Sequence, residues 1–168
     1  MKKIAIIIPS RLDAKRLPDK PLKLINKKEM ILHVYDIAIN SKVGDVYVAT
    51  PDKKIIDVVK KYGGNAFLTN NKHQTGTDRI FQVFKDNLNK EPEIIINLQG
   101  DMPNLDFKHI KNLAEYMNKN LCEIGTLASD LNIDEEKNDP NICKVVSDQN
   151  IVKNGFSDAL DFYRLSEK

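Results

Sequence analysis

The hydrophobic residues of this chain form short continuous runs that alternate with stretches of helical periodicity. Continuous runs are typical of strands buried on both faces, and they lie at residues 4–8, 45–50, 65–69 and 93–101. Apolar residues three and four positions apart predict amphipathic helices at 29–40, 52–64, 78–88 and 106–119. Asn26 is placed to cap the first of these helices.

The pattern becomes less regular in the last third of the chain. We expect strands at 123–131 and 143–148, and no further strand–helix unit after Asn150. The alternation of strands and helices predicts an α/β fold, in which one domain contains a doubly wound, mostly parallel sheet. We assign residues 1–150 to this domain and 151–168 to an irregular tail.

Composition and charge narrow the range of possible partners. The chain has 168 residues, of which 41% are apolar, and its formal net charge is only +2. A general nucleic-acid binder would carry a more basic surface, so we expect no nucleic-acid partner and only local recognition of phosphate. The two cysteines form no CxxC pair, and the N-terminal apolar run is too short for a leader or a membrane span. We therefore expect a cytoplasmic protein without a membrane partner.

Cationic residues are concentrated directly after the first predicted strand, in what we call the first segment (residues 6–22). Four of them, Arg11, Lys15, Arg16 and Lys20, lie within the segment, and Lys23 follows it directly. Ligands of parallel α/β sheets bind beyond the carboxyl ends of the strands, and guanidinium and ammonium groups suit phosphate oxygens. Pro18 and Pro21 stiffen the segment. The first segment therefore predicts a site for an anion, although a solvated loop carries such charges too.

Two further segments follow predicted strands. The third segment (residues 98–103, LQGDMP) delivers Asp101 after Gly100, which permits a tight turn; Asp101 is then either a Mg²⁺ ligand or an Asx-turn residue. The second segment (residues 73–79, HQTGTDR) offers Gln74 and Thr75 to a base edge or a sugar. As a bare pattern it is a helix N-terminus, with Thr77 capping a helix that begins at Asp78.

Taken together, the three segments resemble the 3-deoxy-manno-octulosonate cytidylyltransferase family, the CMP-Kdo synthetases. The family motif I-P-A-R-x-x-S-x-R-L-P-G-K-P-L is matched by IPSRLDAKRLPDKPL, and H-x-S-G-T-[DE]-R by HQTGTDR. N-x-Q-G-D-x-P is matched by NLQGDMP, and N-P-N-x-x-K-V-V by DPNICKVV. The likeness extends from about residue 4 to residue 148. Four motifs in register are far more specific than any one of them.

The resemblance implies a nucleotide-diphospho-sugar transferase type of fold and transfer of CMP from CTP to Kdo (3-deoxy-D-manno-octulosonate), with release of pyrophosphate, for lipopolysaccharide synthesis. It implies that Arg11 and Lys20 hold the CTP triphosphate with Arg16 nearby, and that Asp101 binds Mg²⁺. The residues that it places around the substrates are Gln74, Thr75, Gly76, Thr77, Asp78, Arg79, Gln99 and, on the Kdo side, Arg164. It also implies a homodimer.

The chain departs from the family pattern at several places. Ala14 stands where the family usually has serine, Asp19 replaces a glycine, and Met102 replaces a glutamate. Family members continue well past this length, so we expect part of the C-terminal portion, with most of the Kdo pocket, to be missing. Two alternatives stay open: another sugar nucleotidyltransferase, and a nucleotide-binding remnant without catalysis.

Overall fold

The structure is a computed structural model that describes residues 2–13, 17–119, 122–131 and 134–164. The chain divides into two units, Met1–Gly125 and Thr126–Lys168. The strands are β1 Ile4–Pro9, β2 Leu24–Ile25, β3 Lys28–Glu29, β4 Asp45–Thr50, β5 Ala66–Leu68, β6 Ile94–Asn97, β7 Lys144–Ser147 and β8 Ala159–Tyr163. The α-helices are α1 Met30–Ser41, α2 Lys53–Lys61, α3 Gly76–Asp86, α4 Phe107–Lys119, α5 Asp134–Asn138 and α6 Ile151–Asn154. A 3-10 turn spans Lys20–Leu22.

A parallel sheet of four strands, in the order β5-β4-β1-β6, organises the first unit. β1 is fully buried at the centre, with Ile6 paired in register with Val46 of β4 and Ile96 of β6. The chain adds β4 and β5 on one side of β1 and then crosses over to place β6 on the other side. This change of direction beside β1 is where parallel α/β sheets form ligand crevices.

Alternate residues of β1 face two different helical layers. Ile6 and Ile8 belong to a core that includes residues of α1, α2 and α4. Ala5 and Ile7 point to the opposite face, where they share a core with Ile80 and Val83 of α3. A period of two along a strand therefore buries every residue of β1. The doubly wound, mostly parallel α/β fold predicted from the alternating pattern is confirmed.

Both predicted helix caps are wrong. Asn26 and Lys27 form the turn between β2 and β3 with positive φ angles of 48° and 66°, so Asn26 shapes a hairpin instead of capping α1. α3 begins two residues before Asp78, and its cap is Thr75, not Thr77. Thr75 and Asp78 form a capping box, in which each side chain bonds the backbone of the other.

The C-terminal third also differs from the expectation. Within 122–131 the structure has no strand, and Ile124 is 90% exposed, so this apolar run lacks a buried surface to stabilise an extended ladder. The strand predicted at 143–148 exists as β7, but it pairs antiparallel with β8 in a separate two-stranded sheet. The tail after Asn150 is thus not irregular: it contains α6 and β8. The domain boundary near residue 150 stays a prediction.

Across the described parts of the chain, no helix combines the length and the apolar character needed to pass through a membrane.

Candidate functional site

A cleft of about 790 Å³ lies at the carboxyl edge of the sheet, where β1 and β6 end. From the first segment it is lined by Pro9, Ser10, Arg11, Asp13, Leu17, Lys20 and Pro21. From the second segment it is lined by His73, Gln74, Thr75, Gly76 and Arg79. Gln99, Gly100 and Asp101 of the third segment and Met30 of α1 complete the wall. Three segments that are far apart in sequence therefore share one cavity.

Two glycines bring these segments together at Pro9. A Cβ on Gly100 would lie 2.9 Å from the Pro9 carbonyl oxygen, and a Cβ on Gly76 would lie 3.1 Å from the Pro9 ring carbon Cγ. The φ angle of Gly100 is not positive, so the turn itself does not demand glycine there. The close approach of two backbones is what excludes a side chain at this position.

An ion pair joins the first and third segments across the cleft. Lys20 Nζ lies 2.9 Å from Asp101 Oδ2, and both side chains are partly exposed. Lys20 opens the 3-10 turn directly after Asp19, whose φ of 55° lies in the left-handed region. Aspartate tolerates this region better than most residues, which explains how Asp19 occupies a position where the family pattern has glycine.

Arg79 contributes a buried positive charge to the same cavity. Its side chain is only 3% exposed, and its Nη1 donates to Thr69 Oγ1 at 2.5 Å and to the Asn70 carbonyl oxygen at 3.1 Å. Burial, with repulsion from Arg11, lowers the pKa of the Arg79 guanidinium, and Asp52 opposes this effect. No carboxylate of the described residues lies within ion-pair distance of Arg79. The cleft therefore holds cationic charge that an anionic ligand would neutralise.

Thr77 and Asp78 are absent from the described lining of the cleft. The Asp78 carboxylate accepts hydrogen bonds from Thr75 Oγ1 at 2.7 Å and from the Thr75 backbone N–H at 3.3 Å. The Thr75 hydroxyl is the main reason that the pKa of Asp78 is lowered. Asp78 thus stabilises the start of α3, which carries Gly76 and Arg79 to the cleft.

The remaining predicted residues have separate positions. Gln99 lines the cleft, and its Nε2 donates to Asn97 Oδ1 at 2.9 Å. Arg164 belongs to the second unit, where its Nη1 donates to the Asn141 carbonyl oxygen at 2.8 Å. Arg16, together with Ala14 and Lys15, lies outside the described residues.

Sequence reasoning missed several residues that shape the site. Asp52 Oδ2 accepts the backbone N–H of Leu12 at 2.8 Å and thereby anchors the first segment beside Arg11. Ser10 is buried at the cleft wall, and its hydroxyl has no hydrogen-bond partner within the described ranges. The missed signal for Asp52 was its place just after a buried strand, which is the same signal that identified Asp101.

The acidic residues described in the cleft do not form a complete metal site by themselves. Among the described residues, no group of three or more histidine, cysteine and carboxylate side chains is close enough to hold a metal ion. Asp101 offers a single carboxylate at the mouth of a cationic cleft. Mg²⁺ is bound in just this way when phosphate oxygens and water supply the other ligands.

The chain is similar to known proteins over most of its length. The model of the family described as Cytidylyltransferase matches residues 5–167. The 3-deoxy-manno-octulosonate cytidylyltransferase of Thermodesulfovibrio yellowstonii is 40% identical over 150 residues, which are 86% of this chain and 59% of that protein. The enzyme of the same name from Brucella ovis is 37% identical over 145 residues, 86% of this chain and 58% of that protein.

A solved structure supports the same likeness. The structure of a CMP:2-keto-3-deoxy-manno-octonic acid synthetase complexed with CTP superposes with a TM-score of 0.81 and 34% identity. The match covers 97% of this chain and 64% of that one. The chain therefore spans somewhat under two thirds of the length of the proteins it resembles.

The packing around Pro9 predicts unequal effects of the same substitution at two glycines. Gly100→Ala forces a methyl group against a backbone oxygen, so we expect it to lower the free energy of unfolding by about 1–3 kcal/mol. Gly76→Ala meets only the edge of a proline ring, and alanine favours the first turn of α3 by up to about 1 kcal/mol, so we expect a change near zero. Urea unfolding of both variants measures the difference. Equal losses, or a larger loss at Gly76, would contradict the close approach of Gly100 to Pro9.

Proposed function

The chain belongs to the cytidylyltransferase family. We therefore propose that it binds CTP in this cleft and that the protein containing this chain transfers CMP from CTP to Kdo. The observation that carries the proposal is the convergence of the three segments on one cationic cavity that also presents Asp101. In the reaction, the anomeric hydroxyl oxygen of Kdo forms a bond to the α-phosphorus of CTP. The bond from that phosphorus to the bridging oxygen breaks, pyrophosphate leaves, and the hydroxyl proton passes to water.

The cationic side chains of the first segment are proposed to hold the triphosphate. Arg11 lines the cleft and offers the forked donors of its guanidinium group. Lys20 adds a compact positive charge on the side of the cleft that faces Asp101 of the third segment. Arg16 is proposed to lie nearby, as the family resemblance implies. Stabilisation of the charge that develops on the phosphate oxygens is the main contribution that fixed cations make to such a displacement.

Nucleotidyltransferases commonly use a divalent metal ion, and we propose Mg²⁺ held by Asp101. When bound, the ion would neutralise phosphate charge and orient the leaving pyrophosphate. Asp101 is paired with Lys20, so by holding the ion its carboxylate would exchange one cation for another, and Lys20 would then be free to contact the phosphates.

The second segment and Gln99 are proposed to surround the nucleoside. Gln74, Thr75, Gly76, Arg79 and Gln99 all line the cleft, which supports direct roles for them. For Asp78 we propose an indirect role, since it closes the capping box that positions this segment, while Thr77 is proposed to lie near the nucleotide as the family resemblance implies.

The acceptor side, the assembly and the location complete the proposal. Arg164 is proposed to belong to the Kdo side, and the protein to form a homodimer, both on the strength of the family resemblance. Both cysteines are free thiols, which supports a reducing compartment such as the cytoplasm.

The direct test is to measure release of pyrophosphate from CTP in the presence of Mg²⁺ and Kdo. Binding of CTP is measured in parallel by calorimetric titration. Release that depends on Kdo supports the proposed reaction. Release with a different acceptor sugar indicates another sugar nucleotidyltransferase. Tight binding of CTP without turnover indicates a nucleotide-binding module, and absence of binding overturns the proposal.

Asp101→Asn is predicted to have opposite effects with and without Mg²⁺. Without the metal, the variant should bind CTP as well as the parent or a few-fold better, because Lys20 is freed from an exposed ion pair worth at most about 1 kcal/mol. With Mg²⁺, the parent should gain affinity and the variant should not. Asp13→Asn removes an equal charge from the same cleft and serves as the control. If Asp101→Asn keeps the gain with Mg²⁺, Asp101 is only a turn residue.

Charge removal in the first segment is predicted to separate contact from long-range attraction. Arg11→Ala and Lys20→Ala should weaken CTP more than CMP, since CMP lacks the outer phosphates, and these losses should persist at high salt. Lys23→Ala removes an exposed charge outside the described cleft lining, so its small effect should fade as salt screens it. Affinities of the three variants at low and high salt measure this. If all three variants lose CTP affinity equally and high salt abolishes each loss, the segment attracts the nucleotide only through long-range charge and does not contact its phosphates.

A further inference from the structure

His73 occupies the cleft, although the sequence analysis gave it no role. Its half-buried imidazole lines the cavity at the start of the second segment. The Nε2 atom lies 2.7 Å from Oε1 of Gln82, a half-buried residue of α3. The same Gln82 oxygen accepts the backbone N–H of Asn70 at 2.8 Å.

These two contacts determine which imidazole nitrogen carries the proton. A backbone N–H can only donate, so the Gln82 atom that faces Asn70 must be the amide oxygen and not the amide nitrogen. An amide oxygen can only accept, so His73 Nε2 must be the donor in the second contact. In neutral His73 the proton therefore resides on Nε2, and Nδ1 is left as a hydrogen-bond acceptor.

The Nδ1 atom has no hydrogen-bond partner among the residues that the structure describes. Among the described cleft residues, the charged groups are the cations Arg11, Lys20 and Arg79 and the carboxylates Asp13 and Asp101, while Asp78 interacts electrostatically with His73 from the first turn of α3. A neutral acceptor in a mainly cationic cavity cannot bind phosphate, which offers no donor when ionised. It requires an N–H or O–H group of the ligand.

We propose that His73 Nδ1 accepts a hydrogen bond from the nucleoside part of the bound nucleotide, and that Gln82 positions His73 for this contact. The proposal rests on the proposed function. The donors of a cytidine nucleotide are the exocyclic amino group of the base and the ribose hydroxyls, so His73 takes one of these. The contact divides the cleft: Arg11 and Lys20 serve the phosphates, and the neutral His73 serves the nucleoside.

The protonation state can be tested without any ligand. The chain contains only three histidines, and ¹⁵N spectra of the imidazoles distinguish the two tautomers. At pH 8, His73 should show a protonated Nε2 and an unprotonated Nδ1. In Gln82→Leu this preference should be lost. A protonated Nδ1 in the parent chain would overturn the proposal.

Ligand binding tests the contact itself. His73→Gln is the sharp variant, because the glutamine amide can still donate to Gln82 but presents no acceptor at the position of Nδ1. We expect it to weaken CTP about 3- to 10-fold, the range for one lost hydrogen bond. His109→Gln, on α4 and outside the described cleft lining, should leave CTP affinity unchanged. In the parent, added CTP should shift the Nδ1 signal of His73 and leave those of His33 and His109 in place.

Two other nucleotides identify the donor. A loss in His73→Gln that appears with CTP and disappears with UTP assigns the contact to the base amino group. A loss shared by CTP and UTP assigns it to the ribose, and 2′-deoxy-CTP then distinguishes the two hydroxyls. Parental affinity for all three nucleotides in His73→Gln overturns the contact alone. If the parent binds no nucleotide, the proposed function is overturned together with it.

Discussion

The architecture of the cleft depends on the close packing of backbone at Pro9. The chain leaves the buried end of β1 at this residue, and Gly76 and Gly100 pack against it with no room for a side chain on Gly100. One contact brings in the start of α3, and the other brings in the turn after β6. Because atoms in protein interiors are close-packed, these contacts leave the three segments little freedom to separate. The three segments thus form one cavity because the second and third segments both pack against Pro9 of the first.

The electrostatic character of the cleft follows from this geometry. Arg79 lines the cavity from α3 and is buried without an ion-pair partner among the described residues, so its positive charge is not neutralised by a carboxylate there. The exposed pair of Lys20 and Asp101 can open easily, because such pairs contribute little free energy in water. A buried cation and an exposed pair that can open support the proposed ligand, a nucleoside triphosphate with a metal ion.

Hydrogen bonds from supporting residues determine how the segments and side chains that line the cleft are held. Asp52 anchors the first segment through the Leu12 amide, the capping box of Thr75 and Asp78 sets the start of α3, and Gln82 orients His73. None of these supporting residues was predicted to act in this way. Each is polar, lies near a functional segment and contacts it through a neighbour in space, which a linear pattern does not reveal.

The alternation of apolar runs and helical periods sufficed to predict the doubly wound sheet, because burial of strands and helix faces depends on residue spacing within each element. The predicted strand at 123–131 and the irregular tail were wrong for a related reason. A strand needs a hydrogen-bonded neighbour, which residues elsewhere in the chain must supply. β8 pairs with β7, whereas the described run at 123–131 forms no strand.

The sequence by itself determined the order of β1, β4, β5 and β6 and of α1 to α4, and the charged and polar residues of the three segments, since each of these is local in the chain. Only the tertiary structure decided that Gly100 is required for close approach, that Thr75 and not Thr77 caps α3, and that His73 faces the cleft with Nε2 against Gln82. The physical reason is that these properties belong to pairs of groups. Their energies depend on distances between residues many positions apart, and such distances exist only after the chain has folded.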